Sequence, residues 1–399
     1  MRIRDLRKEP TADGARVAVR VEWEEARRAP QDLFVSAPAP FDADLVASTS
    51  FALAATAVPA LRAGERRIAL DGTVCPRLRA GVTTVLRTLA GWNPALGPVP
   101  AIEAGEGAAT HPAERRRTGM YLSGGVDSLD LLLENRATFP ADHPLSVRTA
   151  LFVHGLDIGA PRQSPRARFY ARVRAMLEPV CATEEVTLVP LTTNVRTLDP
   201  DGKAWAESLF GAATLSLAHA LSPPLTDVYI AASAHVDGLA PAGSHPLTDP
   251  YLSSGSLTVH HEGVHRTRLE KLRRVTDRAD TRAVLRVCWQ DIPEDGPVNC
   301  GRCRKCVRAM LGLEALGRLG DAPTFPRREL AVGDLEVCAV DDLTQHFYGE
   351  LVDPLERRGR GDLAAALRER LRQFRELGAG VVPKKPGPWR RLRRILDRR

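Results

Sequence analysis

The hexapeptide Ser123-Gly124-Gly125-Val126-Asp127-Ser128 constrains this chain more than any other stretch. It directly follows the apolar Met120-Tyr121-Leu122 and directly precedes Leu129-Asp130-Leu131-Leu132-Leu133, a run of helical character. Adjacent glycines let the backbone turn tightly and approach a ligand with no Cβ in the way. A helix that starts there aims its opening N–H groups and the positive end of its dipole back at the turn. Ser123 and Ser128 add hydroxyl donors, and Asp127 can hold a divalent cation or tie the loop. Strand, turn and helix in this order make a phosphate site.

The pattern around the hexapeptide repeats. Apolar runs at 120–122, 150–154, 186–191 and 228–232 alternate with helical stretches near 128–135, 164–179 and 203–221. This predicts an α/β fold, a parallel sheet with flanking helices. Ligands of such sheets bind at the carboxyl ends of the strands, which directs attention to the loops beginning at Ser123, Gly155, Thr192 and Ser233. Residues 1–92 read as a small N-terminal α+β domain with a strand over 15–21 and helices near 44–61 and 76–89. Residues 93–117, rich in Pro and Gly, read as a linker. The sheet domain is expected over 118–320 and a helical C-terminal region over 321–383. Its clearest helix carries Leu363, Leu367, Leu371, Phe374 and Leu377 between Asp362 and Gly378.

Charge needs to be located before it is interpreted. The chain of 399 residues has a net charge of +7, and the tail at 384–399, with eight Lys and Arg against Asp397 alone, accounts for all of it. A basic footprint over a folded domain is therefore absent, and contact with nucleic acid or a membrane is expected only through that tail. No apolar run is long enough to span a bilayer, and the start Met1-Arg2-Ile3-Arg4-Asp5 lacks an apolar signal core, so a cytoplasmic protein is expected.

Neither of the commoner phosphate loops is present: G-x-x-x-x-G-K-[ST] does not occur. The hexapeptide instead resembles the S-G-G-x-D-S loop of the N-type ATP pyrophosphatases, the PP-loop superfamily, and the chain is most similar to its 7-cyano-7-deazaguanine synthase-like branch. The resemblance runs from about Gly119 to Leu313 and implies an adenine nucleotide alpha hydrolase-like fold. It further implies that ATP, with Mg²⁺, is cleaved between its α and β phosphates to adenylate a substrate oxygen. Ser123, Gly124, Gly125, Val126, Asp127 and Ser128 would hold the leaving pyrophosphate. His154 and Gly155 would lie against the adenosine with Thr193 and Asn194 nearby. Arg268 and Lys271, in the segment that starts at Arg266, would close over the phosphates. Asp127, Ser128 and Lys271 would be catalytic. The loop at 237–250 stands where the synthase carries its substrate loop with G-Y-P-D-C. Here it reads Gly243-Ser-His-Pro-Leu-Thr-Asp-Pro250, which points to another small-molecule carboxylate or amide contacted by Ser244, His245 and Asp249.

Cys288, Cys300, Cys303 and Cys306 form C-x11-C-x2-C-x2-C, a set suited to one structural Zn²⁺ with no open position. An iron–sulfur cluster is the other occupant such a set allows. The end of this motif also matches the zinc motif of the synthase. His261-Glu262-Gly263-Val264-His265 fits H-E-x-x-H formally, but it follows a strand-like stretch and holds Gly263 where a zinc-protease helix must be firm. It is expected to end a hairpin near the nucleotide. Cys75, Cys181 and Cys338 lie in contexts unlike a glutaminase nucleophile, so no glutaminase domain is expected and the nitrogen donor would be ammonia or an amine. The resulting expectation is an AMP-forming carbon–nitrogen ligase, with a homodimer allowed. Sulfur transfer on the same adenylating core and a non-catalytic nucleotide-binding regulator are the alternatives.

Overall fold

The computed structural model describes residues 1–107, 116–158, 164–222, 224–290, 292 and 296–377; the basic tail at 384–399 lies outside them. The chain forms two compact units, Met1–His235 with Pro241–Arg266, and Val236–Ala240 with Thr267–Arg399.

Among the described residues the first unit is built on ten strands: β1 (Arg2–Pro10), β2 (Gly14–Glu22), β3 (Gln31–Pro38), β4 (Arg67–Val74), β5 (Ala101–Glu106), β6 (Arg117–Tyr121), β7 (Val147–His154), β8 (Thr187–Thr193), β9 (Leu225–Ala231) and β10 (Thr258–Glu262). They form one sheet in the order β10-β9-β6-β7-β8-β3-β2-β1-β4-β5. Strands β6 to β10 are mutually parallel. The central ones read as apolar runs because residues on both faces are covered, as at Gly119, Met120 and Tyr121 of β6. β2 instead alternates, burying Val17, Val19 and Val21.

The order of the parallel strands fixes where a ligand can sit. Met120 of β6 pairs with Ala150 of β7 on one side and with Tyr229 of β9 on the other. The chain thus winds one way from β6 through β7 to β8 and the other way through β9 to β10. Between β6 and β9 the direction reverses, and the connections diverge to leave a crevice at the carboxyl ends of these strands.

Three expectations change. Residues 1–92 do not stand as a separate unit. β3 pairs antiparallel with β8 through Val35 with Thr193 and Ser36 with Thr192, so the N-terminal strands extend the parallel sheet. Within 93–117 the chain is more than a linker, because β5 pairs with β4 and buries Ile102. As a sheet edge it tolerates prolines close by. No hairpin forms at 257–262: β10 is parallel to β9, with Val259 opposite Val228. Residues 232–257 supply the long crossover a parallel pair requires.

Helices α1 (Thr49–Arg62), α2 (Pro76–Trp92), α3 (Val126–Thr138), α4 (Ser164–Thr183), α5 (Gly202–Ala204) and α6 (Phe210–His219) complete this unit. Between α5 and α6 the helix widens into a π turn, Trp205–Leu209. α1 packs on α6. Both are rich in Ala, which lets their backbones come close, and α1 is buried from Phe51 to Leu61. At the start of β1 the Met1 ammonium is enclosed, 2.6 Å from Glu65 and 2.9 Å from Glu24. The Glu65 carboxylate also accepts from the amides of Glu24, Glu25 and Ala26.

The second unit is helical: α7 (Arg268–Asp277), α8 (Ala279–Val284), α9 (Arg304–Leu316), α10 (Gln345–Arg357) and α11 (Gly361–Leu377). Leu272, Val275, Met310, Leu311, Leu351, Leu355, Leu363 and Leu367 are buried in it. A Cβ at Gly312 of α9 would stand 2.5 Å from a Leu272 methyl, so α7 and α9 approach closely there. The four cysteines belong to this unit with the C-terminal helices, not to the sheet unit as expected. The reason is that α9 starts at the cysteine cluster and packs on α7 and α10.

Candidate functional site

The Ser123–Ser128 loop leaves the carboxyl end of β6 at the β6/β9 crevice. Its entry is fixed by Tyr121, whose hydroxyl donates to the Thr214 carbonyl of α6 at 2.6 Å, and by the Leu122 amide, which donates to Leu151 O of β7. Gly124 takes φ +75°, a left-handed turn suited to glycine, and Gly125 caps α3. The loop is braced from within. The Ser123 amide donates to Ser128 Oγ at 3.2 Å, the Gly125 amide donates to Ser123 Oγ at 3.3 Å, and Ser128 Oγ donates to the Gly125 carbonyl at 3.1 Å. The two hydroxyls lie 3.2 Å apart. Two serines and two glycines thus hold a concave turn at the start of α3, whose opening amides have no intrahelical acceptor by geometry. Such a turn can seat an anion. Asp127, half-buried on the first turn of α3, stands where a cation accompanying that anion could be held.

One turn further along α3, Asp130 is 1% exposed and accepts Arg266 Nε and Nη2 at 3.0 and 2.9 Å. Arg266 Nη1 lies 3.1 Å from Glu134. Arg266 of the basic segment thus meets the helix of the phosphate loop. Arg268 and Lys271 belong to α7 of the second unit, where Thr267 and Glu270 form a capping box and Lys271 is 2% exposed.

The ends of β7 and β8 place the next expected residues. His154 is buried with its ring stacked on Tyr170 at 4.8 Å, and Tyr170 stacks in turn on Phe152 at 4.5 Å. Its ring is part of this packing. Gly155 has φ +105°, and a Cβ there would meet the Thr193 carbonyl at 1.9 Å, so glycine is required for the β7 and β8 ends to touch. Thr193 and Asn194 join strands: Thr193 Oγ1 donates to Phe34 O, Asn194 Nδ2 donates to Asp32 O, and Asn194 Oδ1 accepts from the Phe34 amide.

The loop after β9 gathers the three expected substrate residues and adds one. Ser244 Oγ donates to Asp249 Oδ2 at 2.6 Å, and His261 Nδ1 of β10 meets the same oxygen at 2.8 Å. His245 Nδ1 accepts from the Leu247 amide, and its ring stands edge-on to Trp92. Asp249 is 1% exposed, so it organises the loop from inside. The H-E-x-x-H match dissolves, because His261 and Glu262 end β10 and Gly263 turns at φ +96°. In the sequence His261 stands out only within the formal H-E-x-x-H match, and Asp130 belongs to no motif; the hint of Asp130 is an acid three residues after Asp127 inside an otherwise leucine-rich run.

In the second unit the sulfurs of Cys288, Cys300, Cys303 and Cys306 all lie within 4.8 Å of one another. Cys288 Sγ is 3.9 Å from Cys303 Sγ, and Cys300 Sγ is 3.8 Å from Cys306 Sγ. A tetrahedron with Zn–S bonds of about 2.3 Å has edges of about 3.8 Å, so the set fits one ion. The amides of Gln290, Cys303 and Cys306 donate to Cys288, Cys300 and Cys303 sulfur, and Gly301 makes the knuckle turn at φ +67°. These donors hold charge on sulfur. Hydrogen bonds from Cys303 and Cys306 keep the Cys288 thiol far below its usual range, while Cys288 pushes Cys303 up to about 11. The remaining cysteines are buried, and desolvation pushes Cys181 up to about 12 and also raises Cys338.

Among the described residues no helix is long and apolar enough to cross a membrane. Compared with known proteins, the chain matches no family model, no curated protein and no solved structure.

Proposed function

We propose that this protein is an ATP-dependent, AMP-forming ligase that adenylates a carboxylate or amide oxygen of a small molecule and transfers nitrogen to it. The observation that carries this reading is the braced Ser123–Ser128 loop at the β6/β9 crevice, where parallel sheets of this winding bind their ligands. ATP would place its β and γ phosphates on the loop amides and the hydroxyls of Ser123 and Ser128. Asp127 would hold the Mg²⁺ that accompanies ATP. As the substrate oxygen attacks the α phosphate, charge develops on the departing pyrophosphate, and donors fixed beforehand stabilise it without reorganising. The activated carbon then accepts a nitrogen nucleophile and releases AMP. The closed geometry of the four cysteines favours nitrogen over sulfur transfer, because sulfurs committed to one ion cannot carry a sulfur atom.

The test is isotope exchange. Full-length protein is incubated with ATP, Mg²⁺, candidate carboxylates and labelled pyrophosphate, and label entering ATP supports the reading. Formation of ADP and orthophosphate in place of AMP and pyrophosphate would overturn it.

A further inference from the structure

We infer that His261 is the base that deprotonates the nitrogen nucleophile, with Asp249 and Ser244 as the residues that position it; this rests on the ligase reading above. Three observations of the first unit lead here. His261 Nδ1 meets a carboxylate oxygen already holding the Ser244 hydroxyl, so the neutral ring carries its proton on Nδ1 and its lone pair on Nε2. The ring is otherwise enclosed, its side chain 3% exposed. Nε2 takes no hydrogen bond among the described residues. The carboxylate cannot drift. A Cβ at Gly211 would stand 2.5 Å from Asp249 Oδ1 and 2.6 Å from the Gly243 carbonyl, and the Gly243 amide donates to Ala206 inside the π turn. The loop thus inserts into the helix ladder, a distortion that recurs at functional sites.

The place in the fold fits the task. His261 lies near the carboxyl end of β10, two strands from β6, about 10 Å across the sheet. Asp249 bonds it, and His245 stands near it. Burial above all holds His245 below the ordinary histidine value, so it adds little competing positive charge.

The chemistry requires such a group. Ammonia and alkyl amines arrive at neutral pH as ammonium ions, which have no lone pair. His261 Nε2 takes one proton from the nucleophile, and nitrogen forms its bond to the acyl carbon. The bond from that carbon to the AMP oxygen breaks with its electron pair leaving on AMP, and the second surplus proton goes to water.

His261→Asn separates this role from a structural one, because the asparagine amide still donates to Asp249 but offers no base. Full-length protein is assayed with ATP and a panel of carboxylic acids, using ammonium or hydroxylamine as nucleophile. Hydroxylamine is largely unprotonated at neutral pH and needs no base. In H261N, amide formation from ammonium should fall at least about 100-fold while hydroxamate formation stays within about twofold. Equal amide formation in parent and variant would overturn the assignment, as would an equal loss with both nucleophiles at unchanged melting temperature. If H261N melts early, the ¹⁵N signature of His261 in the unaltered chain decides: an unprotonated Nε2 supports the assignment and an Nε2–H tautomer overturns it. Absence of AMP and pyrophosphate from the unaltered chain with every acid would overturn the ligase reading, and the base role with it, whatever the tautomer.

Discussion

Arg266, just past the edge strand β10, grips Asp130 of α3 through two nitrogens on one carboxylate oxygen, and so links the end of the sheet to the helix that carries the phosphate loop. Asp130→Asn should leave the guanidinium with Glu134 as its remaining acid and cost about 2 kcal/mol, less than a fully buried broken pair because that partner stays. Urea unfolding of D130N, R266Q and the double variant checks it. Strictly additive losses would show that the pair is not coupled.

Ser128→Ala removes the hydroxyl that both accepts from Ser123 and donates to Gly125, and Asp127→Ala removes the acid of the first turn. Pyrophosphate release should drop at least about 100-fold in each, the size expected when a fixed donor or cation ligand for developing charge is lost. Melting temperatures should move little. A large fall in melting temperature for D127A would mean that the acid serves the fold rather than the reaction.

One zinc per chain is expected by metal analysis, from the sulfur tetrahedron. Serine at Cys303 should release the ion and lower the melting temperature, since metal binding is worth on the order of 10 kcal/mol to the local fold. A strong chelator should do the same to the parent chain. A coloured, redox-active protein would instead indicate iron.

Acid should weaken the first unit through Glu65. Burial opposes its ionised form, but the Met1 ammonium and the amides of Ala26, Glu24 and Glu25 outweigh burial and hold its carboxyl below the ordinary 4.5. Its folded pKa is depressed, so the stabilisation is present above the unfolded value and is lost as pH falls through the folded one. Glu65→Gln should cost about 3 kcal/mol at neutral pH by leaving the ammonium short of its buried partner. The difference from the parent should shrink below pH 4.5, which unfolding measured across pH 3 to 7 would show.

The parts legible from sequence were those with local causes. The apolar runs of β6 to β9, the helical periods of α2 and α11, the glycine turn at 124–125 and the cysteine spacing each state their structure within a few residues. What stayed hidden depends on distant partners. β1 reads as charged because Arg2, Arg4, Asp5, Arg7, Lys8 and Glu9 crowd it, and only pairing with β2 and β4 makes it a strand. The direction of β10 depends on which strand receives it. Asn194 looks like a ligand residue until Asp32 and Phe34 are found opposite it. His261 gains its meaning from Asp249, on another segment of chain.

The strand order also sets a timetable for synthesis. β6 leaves the ribosome soon before β7, but its other neighbour, β9, begins only at Leu225. At about 5–20 residues per second, the far edge of β6 waits roughly 5–20 seconds for its partner. Through that interval the nascent chain holds an apolar strand with one unpaired edge, the kind of surface that invites pairing with another chain. The glycine turn that ends β6 is translated early, yet its crevice has no second wall until translation has passed Ala231.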